Sequence, residues 1–374
     1  MSDTQKNKKP NVPNLRFPGF SGEWKVSTLK EECIVNPKTE GLEKEFLYID
    51  LESVAKGRLV KQNIISRNDA PSRAQRVLSK WDIIYQCVRP YQLNNYIIRD
   101  ESTIQRVAST GYAQIRTKHN PDFIYQLLHT KGFTDQVINR CTGTNYPAIN
   151  CTDLSGIEIN FPSIHEQAKI GELLTLIDQR IAIQSKIIED LKKLKTALCE
   201  KFLVEISNSP LAELGKHCSI TTGKLDANAM RESGEYMFFT CAKENYRTDT
   251  YAFEGDALLI SGNGELGLCK YYSGKFNAYQ RTYVLQNFDI DIQFAKLMID
   301  SFLPRKIYRE KNVGAMPYIV LSTLSELQIP VPNFEIQTHI STVLSTFANK
   351  IELEESVLTK LILMKNHILS QMFI

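Results

Sequence analysis

The chain has 374 residues, of which 43% are hydrophobic and 23% are charged, and its formal net charge is +3. This composition is typical of globular proteins, and the length allows two or more domains with separate cores. No apolar run approaches the roughly 18 residues of a membrane span. The eight cysteines lack the spacing of a zinc site or a disulfide framework, so we expect them to be reduced and structural.

The chain begins with the polar stretch MSDTQKNKKPNVPN, which has no apolar signal core. We expect a disordered tail over residues 1–15 and a cytoplasmic protein. Residues 16–160 are predicted to form a mixed α/β domain, because short apolar or alternating runs are bounded by turn residues. Those runs are EFLYIDL, WDIIYQC, NNYIIR and YAQIRT. Residues 205–330 contain EYMFFTC, GDALLIS, KYYS and TYVLQ, which predict a second domain of the same kind.

A long amphipathic segment follows each predicted domain, over residues 161–204 and 331–374. When the sequence is shifted by 170 residues, the two segments and the residues just before them align without gaps for more than fifty positions. Pro147 then falls on Pro317, for example, and Gln167 falls on Gln337. An alignment of this length indicates an internal repeat.

Each long segment has a regular apolar seam. Apolar residues recur alternately after four and three positions, a period of 3.5 that is typical of coiled coils. Polar residues interrupt both copies at equivalent places, Gln184 and Lys195 in the first and Glu354 and Lys365 in the second. The alternative is two helices packed separately on their own domains, but neither has the wider apolar stripe that this requires. The predicted seam residues are Ile170, Leu174, Ile177, Ile181, Ile188, Leu191, Leu198, Ile340, Leu344, Phe347, Ile351, Leu358, Leu361 and Ile368.

The link after the first long segment favours an antiparallel pair of helices. Only the short stretch VEISNSP separates this segment from the second domain. That stretch is too short to return along a helix of roughly 55 Å. The predicted fold class is therefore α+β, with two mixed α/β domains separated by a two-helix antiparallel coiled coil in a pseudo-twofold internal repeat.

The order and duplication of several stretches resemble the specificity subunits of type I restriction–modification systems. These stretches are PNLRFPGFSGEWKVSTLKEEC, GTNYPAINCTDLSGIEINFPSIHEQAKIGELLTLIDQRI, LKKLKTALCEKF and the degenerate copy GAMPYIVLSTLSELQIPVPNFEIQTHI. The second copy departs from the pattern, because Ile336 replaces the acid of HEQ and Trp24 has no counterpart before Leu214.

The resemblance implies two target-recognition domains, each reading one half of a bipartite double-stranded DNA site. It implies helices that set the spacing and dock two methyltransferase subunits, with motor-nuclease restriction subunits as further partners. S-adenosylmethionine, ATP and magnesium would be used by those partners, and this chain would hold no cofactor or metal.

Catalysis by this chain is disfavoured by its motifs. It has neither a GxxxxGK[ST] phosphate loop nor the Asn-Pro-Pro-aromatic run of an amino-methyltransferase. A coiled-coil adaptor that binds proteins through two globular ends is the main alternative function. A self-contained DNA-modifying enzyme is a third.

Candidate DNA contacts cluster in basic stretches of the two domains. Between Lys56 and Lys118 there are 12 Lys/Arg against 4 Asp/Glu, and the second domain contains PRKIYREK. Arg, Lys, Asn, Gln and small polar side chains contact phosphates and base edges, although a solvated face would explain either stretch taken alone. The candidates in the first domain are Lys56, Arg58, Lys61, Arg67, Arg73, Arg76, Gln86, Arg89, Tyr91, Gln92, Asn94, Asn95, Ser109, Thr110, Tyr112, Thr144, Asn145 and Tyr146. Those in the second are Lys243, Asn245, Arg247, Asn263, Tyr279, Gln280, Arg281, Arg305, Lys306, Arg309, Lys311 and Asn312.

Overall fold

The chain forms two folded units in the computed structural model, which describes residues 11–38, 41–310 and 318–374. Unit 1 comprises residues 1–185 and 357–374, and unit 2 comprises residues 186–356. Each unit contains a mixed α/β domain and segments of two long helices, which confirms the predicted fold class. Within the described residues, no helix is both long enough and apolar enough to cross a membrane.

Within the described residues, unit 1 contains twelve short strands, four short α-helices, the beginning of one long helix and the end of the other. The strands are β1 (Lys25–Thr28), β2 (Cys33–Val35), β3 (Glu45–Ile49), β4 (Val54–Ala55), β5 (Arg58–Leu59), β6 (Asn63–Ser66), β7 (Ala74–Leu78), β8 (Ile83–Gln86), β9 (Tyr96–Ile97), β10 (Arg106–Ser109), β11 (Tyr112–Thr117) and β12 (Glu158–Phe161). The helices are α1 (Leu29–Glu32), α2 (Pro121–Leu127), α3 (Lys131–Arg140), α4 (Cys151–Ser155) and the long α5 (Ile164–Glu205).

Two four-stranded sheets form the body of unit 1. Their strand orders are β6-β3-β10-β7 and β2-β11-β8-β9, and only the β10–β3 pair is parallel. β1 pairs with β12, the strand that immediately precedes α5, so the beginning of the domain is joined to its end. The predicted tail is described from Asn11, whose amide donates to Trp24 O at 2.7 Å and to Asn160 Oδ1 at 2.8 Å.

The main core of unit 1 combines side chains from the α/β domain with both long helices. Phe123 and Trp24 pack there with Ile170 and Leu174 of α5. Phe373, which lies just after the second long helix, stacks on Phe123 with ring centroids 5.2 Å apart. The last residues of the chain are therefore part of the core that its first domain buries.

Unit 2 repeats this plan with fewer and longer strands. They are β13 (Leu211–Glu213), β14 (Ser219–Thr222), β15 (Tyr236–Phe239), β16 (Tyr246–Thr248), β17 (Phe253–Ser261), β18 (Cys269–Ala278), β19 (Thr282–Gln286) and β20 (Gln328–Pro330). The helices are α6 (Ile292–Glu310), α7 (Leu321–Ser325) and the long α8 (Phe334–Met372). Six strands form one sheet in the order β14-β19-β17-β18-β15-β16, and β13 pairs with β20 as β1 does with β12.

Each unit contains the same pair of hydrogen bonds, made by a buried glutamine near the start of its long helix. The Gln167 amide donates to Pro162 O at 3.0 Å, and its oxygen accepts from Asn120 N–H at 3.3 Å. In unit 2 the Gln337 amide donates to Pro332 O at 2.8 Å, and its oxygen accepts from the residue before α6 at 3.0 Å. Each buried glutamine thus ties the beginning of a long helix to the beginning of another helix, as the repeat predicts.

Both long helices begin shortly after a proline that is followed by a capping residue, Pro162–Ser163 for α5 and Pro332–Asn333 for α8. The Ser163 hydroxyl accepts from Glu166 N–H at 3.4 Å at the start of α5. Asn333 Oδ1 accepts from Ile336 N–H at 3.0 Å at the start of α8. Side-chain caps of this kind satisfy amide groups that have no partner within the helix, and so fix where it begins.

The long helices run antiparallel within each unit. In unit 2, Lys192 pairs with Glu355 at 2.6 Å, whereas further along α5 Phe202 lies against His339, with ring centroids 6.2 Å apart. Residue numbers therefore rise along α5 while they fall along α8. In unit 1, Asp178 Oδ1 accepts from Lys365 Nζ at 2.6 Å. The predicted antiparallel order is confirmed.

All fourteen predicted seam residues are buried or half-buried. The buried members are Ile170, Leu174, Ile177, Ile188, Ile340, Leu344 and Ile351. The half-buried members are Ile181, Leu191, Leu198, Phe347, Leu358, Leu361 and Ile368. Apolar residues off the seam, such as Leu176, Ile183 and Leu363, remain more than half exposed. One of the polar residues that interrupt the seam also joins the two helices, because Lys365 of α8 forms an ion pair with Asp178 of α5.

Candidate nucleic-acid interface

Three loops of unit 1 meet at one surface, which we call the unit 1 loop face. They are the β4–β5 hairpin, residues 87–95 and residues 142–148. Lys56 N–H at the hairpin tip donates to Asn94 Oδ1 at 3.0 Å, and Arg89 N–H donates to Pro147 O at 2.8 Å. Lys56 and Gly57 both have left-handed φ angles, 48° and 74°, as tight two-residue hairpin turns require. Direct hydrogen bonds therefore join all three loops.

The arginines of unit 1 differ in whether a carboxylate neutralises them. Four of them form ion pairs: Arg16 with Glu166, Arg99 with Asp122, Arg106 with Asp100, and Arg116 with Asp82. None of these four is a predicted DNA contact. The five arginines predicted to contact DNA have no ion pair within the part of the chain that the structure describes: Arg58, Arg67, Arg73, Arg76 and Arg89. Uncompensated guanidinium groups are what a phosphate backbone or a guanine edge attracts.

Four of the residues predicted to contact DNA in unit 1 are buried, so their side chains lie inside the fold and not on the loop surface. They are Gln86, Asn95, Ser109 and Tyr112. Gln86 Nε2 donates to Gln92 Oε1 at 2.9 Å, and Asn95 Oδ1 accepts from Gln86 N–H at 2.8 Å. The Tyr112 hydroxyl donates to Asp50 O at 3.2 Å. A polar residue in a turn-rich stretch can brace a loop from inside as readily as it can face a ligand, and the sequence does not separate these two roles.

The remaining unit 1 candidates are accessible. The exposed ones are Lys56, Arg58, Lys61, Arg67, Arg73, Tyr91, Gln92, Thr144, Asn145 and Tyr146, and the half-buried ones are Arg76, Arg89, Asn94 and Thr110. Lys61 is neutralised by Glu52 at 2.5 Å. Arg67 donates to Leu42 O at 3.3 Å, and no described hydrogen bond joins it to the unit 1 loop face.

Unit 2 gathers six of its twelve candidates around Cys241, on a surface that we call the unit 2 loop face. Glu265 N–H donates to Cys241 O at 3.0 Å, and Gly262 N–H donates to Arg281 O at 2.9 Å. Gly264 has a φ of +60°, and a Cβ there would lie 2.9 Å from Cys241 O. The GNGELG stretch is thus a glycine-dependent turn before β18. The candidates brought together are Lys243, Asn245, Asn263, Tyr279, Gln280 and Arg281.

Lys270 organises the unit 2 loop face, although the sequence analysis missed it. Its Nζ donates to the carbonyl oxygens of Ala242 at 2.9 Å, Lys243 at 2.8 Å and Glu244 at 3.4 Å. It also donates to Asn245 Oδ1 at 2.8 Å. Burial lowers the pKa of this ammonium group below its ordinary value. Its three donors are matched by carbonyl and amide oxygens, so the loop that carries two candidates has a fixed shape. A lysine on a strand gives no sequence signal for this role.

The other unit 2 candidates are divided between structural and exposed positions. The Arg247 guanidinium donates to Gly234 O at 3.2 Å and Glu235 O at 3.3 Å, and Lys306 donates to Ser322 O at 3.2 Å. Arg305 and Arg309 are exposed on α6 and flank Tyr308, which is 81% exposed and was not predicted. Its position between basic residues at helical spacing was the available signal. Lys311 and Asn312 lie outside the described residues.

The chemistry available at these surfaces is that of hydrogen-bond donors, cations and aromatic rings. Within the described residues, no group of three or more His, Cys, Asp or Glu side chains could hold a metal ion. Arg89 and Lys243, which have no carboxylate partner within the described residues, lie on loops that side-chain hydrogen bonds hold in place. Such an arrangement suits the recognition of a polyanion and its base edges.

Fold and surface together define a class: a duplicated α/β scaffold with dissimilar loops and a pair of antiparallel long helices. The family model described as type I restriction modification DNA specificity domain matches residues 22–193 and again residues 204–362. The chain therefore belongs to the family of type I restriction–modification specificity proteins.

Individual relatives agree with this assignment. The chain is 37% identical over 140 residues to the type I restriction enzyme EcoDI specificity subunit of Escherichia coli, covering 37% of this chain and 31% of that protein. It is 25% identical over 164 residues to the HindI specificity subunit of Haemophilus influenzae, covering 42% and 36%. These matches span about a third of each relative's length. The fold is similar to that of the crystal structure of a type I system S subunit from M. genitalium, with a TM-score of 0.69, 19% identity and coverage of 97% and 99%.

Proposed function

We propose that this chain is the sequence-specific DNA-recognition subunit of a type I restriction–modification complex. The domains at residues 16–160 and 205–330 would each read one half of a bipartite duplex site. The helical segments at residues 161–204 and 331–374 would set the distance between them. The chain would act in the cytoplasm, where its DNA substrate is found.

One observation carries this proposal: the two units share a frame and differ in the loops on it. Ile149 N–H donates to Cys87 O at 3.0 Å in unit 1, and Ile319 N–H donates to Gly262 O at 2.9 Å in unit 2. The same backbone contact therefore supports QCVRPYQ in one unit and SGNGELG in the other. Different loops on one scaffold suit two different half-sites.

The proposal assigns the chemistry of the complex to partners. Two methyltransferase subunits would dock on the helices and use S-adenosylmethionine. Motor-nuclease restriction subunits would use ATP and magnesium. This chain would contribute recognition without catalysing a reaction, and no cofactor is assigned to it. Membership of the specificity family and the uncompensated arginines favour DNA reading over the protein-adaptor alternative.

The direct test is to sequence the methylome of cells with and without this gene. We expect one bipartite methylated motif that disappears with the gene. The purified full chain, assembled with its modification subunits, should bind a duplex carrying that motif with an affinity that falls steeply as salt rises. Loss of the gene without loss of any methylated motif would contradict the proposal.

Spacing provides a second, geometric test. One DNA turn spans about 34–36 Å, and one heptad of helix adds roughly 10 Å. Inserting one heptad at equivalent seam positions of both α5 and α8 should change the unread gap between half-sites without changing their sequences. An unchanged gap would refute the spacer role while leaving the recognition role intact.

A further inference from the structure

A short antiparallel ladder joins two loops of the unit 1 loop face. Val88 bridges Ala148, Ile149 N–H donates to Cys87 O at 3.0 Å, and Arg89 N–H donates to Pro147 O at 2.8 Å. Residues 142 and 148 exchange two backbone hydrogen bonds of 2.9 Å, which close the turn that carries Tyr146. Arg89 and Tyr146 are therefore positioned against each other by backbone contacts, independently of their side chains.

The side chains of this pair form a cation–π stack at the surface. The Arg89 guanidinium carbon lies 4.3 Å from the centre of the Tyr146 ring. Tyr146 is 63% exposed, so the stack borders solvent. No hydrogen bond or ion pair occupies the Arg89 guanidinium within the described residues, whereas Arg106 is held by Asp100. A guanidinium stacked on a ring keeps its N–H donors in a fixed plane and free to meet another group.

A tight turn and two buried side chains hold the loop that carries Arg89 in shape. Arg89 has a left-handed φ of 52° and Leu93 one of 53°, and a 3₁₀ turn over Pro90–Gln92 lies between them. Buried Gln86 and Asn95 brace this turn from beneath, through hydrogen bonds of 2.9 Å to Gln92 Oε1 and 2.8 Å to Gln86 N–H. An arginine on a braced loop loses less conformational entropy on binding than one on a mobile loop.

We propose that Arg89, held by Tyr146, reads a guanine in the half-site bound by unit 1. This inference rests on the proposed function. Arginine donates two parallel hydrogen bonds to O6 and N7 of guanine in the major groove, and this is the commonest specific contact between a side chain and a base. The stack positions the planar guanidinium group, and no carboxylate of the described residues occupies the donors that would meet the guanine.

The repeat limits this reading to one half-site. Gly262 occupies in unit 2 the place of Cys87 in unit 1, because each accepts the N–H of the equivalent isoleucine. Two positions further on, Gly264 stands where unit 1 has Arg89. Arg89 therefore has no counterpart at this point of the unit 2 frame, and the inference concerns the unit 1 half-site.

The test is selection from a random duplex library by the full chain assembled with its modification subunits. It compares the wild type with Arg89→Ala, Arg89→Lys, Tyr146→Phe and the paired-arginine control Arg106→Ala. The wild type should select a guanine at one position of one half-site. Arg89→Ala should lose that preference by on the order of 5- to 150-fold, while the other positions keep theirs. Arg89→Lys should fail to restore it, Tyr146→Phe should retain it, and Arg106→Ala should match the wild type.

Each other result has a defined meaning. A uniform loss of affinity for all sequences in Arg89→Ala, with a salt slope smaller by about 1, would assign Arg89 to a phosphate and overturn the inference. If Arg89→Ala loses every base preference in that half-site while Tyr146→Phe selects normally, the substitution has collapsed the loop. This result would also overturn the inference. If the wild type selects no bipartite site, the proposed function itself fails. A bipartite site without the guanine defeats only the inference.

Discussion

Replacing Phe373 with alanine should destabilise unit 1 although the residue lies at the far end of the chain from that domain's strands. The Phe373 ring is 93% buried, stacks on Phe123 at 5.2 Å and meets Trp24 edge-on at 6.2 Å. Truncating a buried phenylalanine costs about 3–5 kcal/mol, and each aromatic contact accounts for about 0.5–1.5 kcal/mol of that cost. For a unit of this size the unfolding temperature should fall by roughly 10 °C.

Scanning calorimetry would measure that fall, and native-state hydrogen exchange would assign it to unit 1. Phe334→Ala is the matched control, because Phe334 is the first residue of α8, the helix that Phe373 directly follows, and is 62% exposed. The control should change the free energy of unfolding by no more than about 0.5 kcal/mol. A Phe373→Ala variant that was destabilised by less than about 1 kcal/mol, or whose protection fell equally in unit 2, would contradict the placement of this ring in the unit 1 core.

Three further results are expected. Lys270→Met should remove the donors that hold the unit 2 loop, and so weaken selection at the unit 2 half-site about tenfold or more while the unit 1 half-site is read normally. Library selection would measure this, with the exposed Lys275→Met on the same strand as control. Replacing Arg73 and Arg76 with alanine should weaken DNA binding and lower its salt slope by about 1 for each phosphate that an arginine no longer neutralises, and an unaltered slope would show that neither arginine meets a phosphate. The pKa of buried Glu32 is lowered from its ordinary 4.5 to about 2, mainly by its hydrogen bond with His119 and next by its hydrogen bond with Lys25. Because the folded pKa is depressed, the stabilisation is present above the unfolded pKa and is lost as pH falls, by about 2–3 kcal/mol for unit 1 between roughly pH 5 and 2.5. Urea titration of Glu32→Gln should show no such loss.

The sequence predicted the long helices because their order depends on local patterns. Seam positions such as Ile170 and Ile340 follow a period of 3.5, and the caps at Ser163 and Asn333 mark where the helices begin. The repeat contributed further, since Gln167 and Gln337 align in sequence and make the same contacts in space. Periodicity and short-range capping are both visible in one dimension.

Loop geometry was less predictable, because it depends on contacts between distant residues. Gln86 and Asn95 have amide side chains of the kind that hydrogen-bond to bases, but the surrounding loop buries both of them. Arg89 acquires its partner from Tyr146, 57 residues later in the chain. Lys270 organises a loop 25 to 28 residues before it. Polarity predicted which stretches form the two loop faces, and only the folded chain distinguished buried braces from accessible side chains.

The discontinuity of unit 1 has a consequence for synthesis on the ribosome. Residues 186–356 form a contiguous unit, whereas the other unit needs residues 357–374 in its core. Domains generally fold in the order in which they emerge, but here the segment translated first must wait for the segment translated last. The middle of the polypeptide therefore completes its native packing before the beginning does. A premature stop codon just before residue 357 would remove about the last four turns of α8 from the early-made unit while sparing the later one.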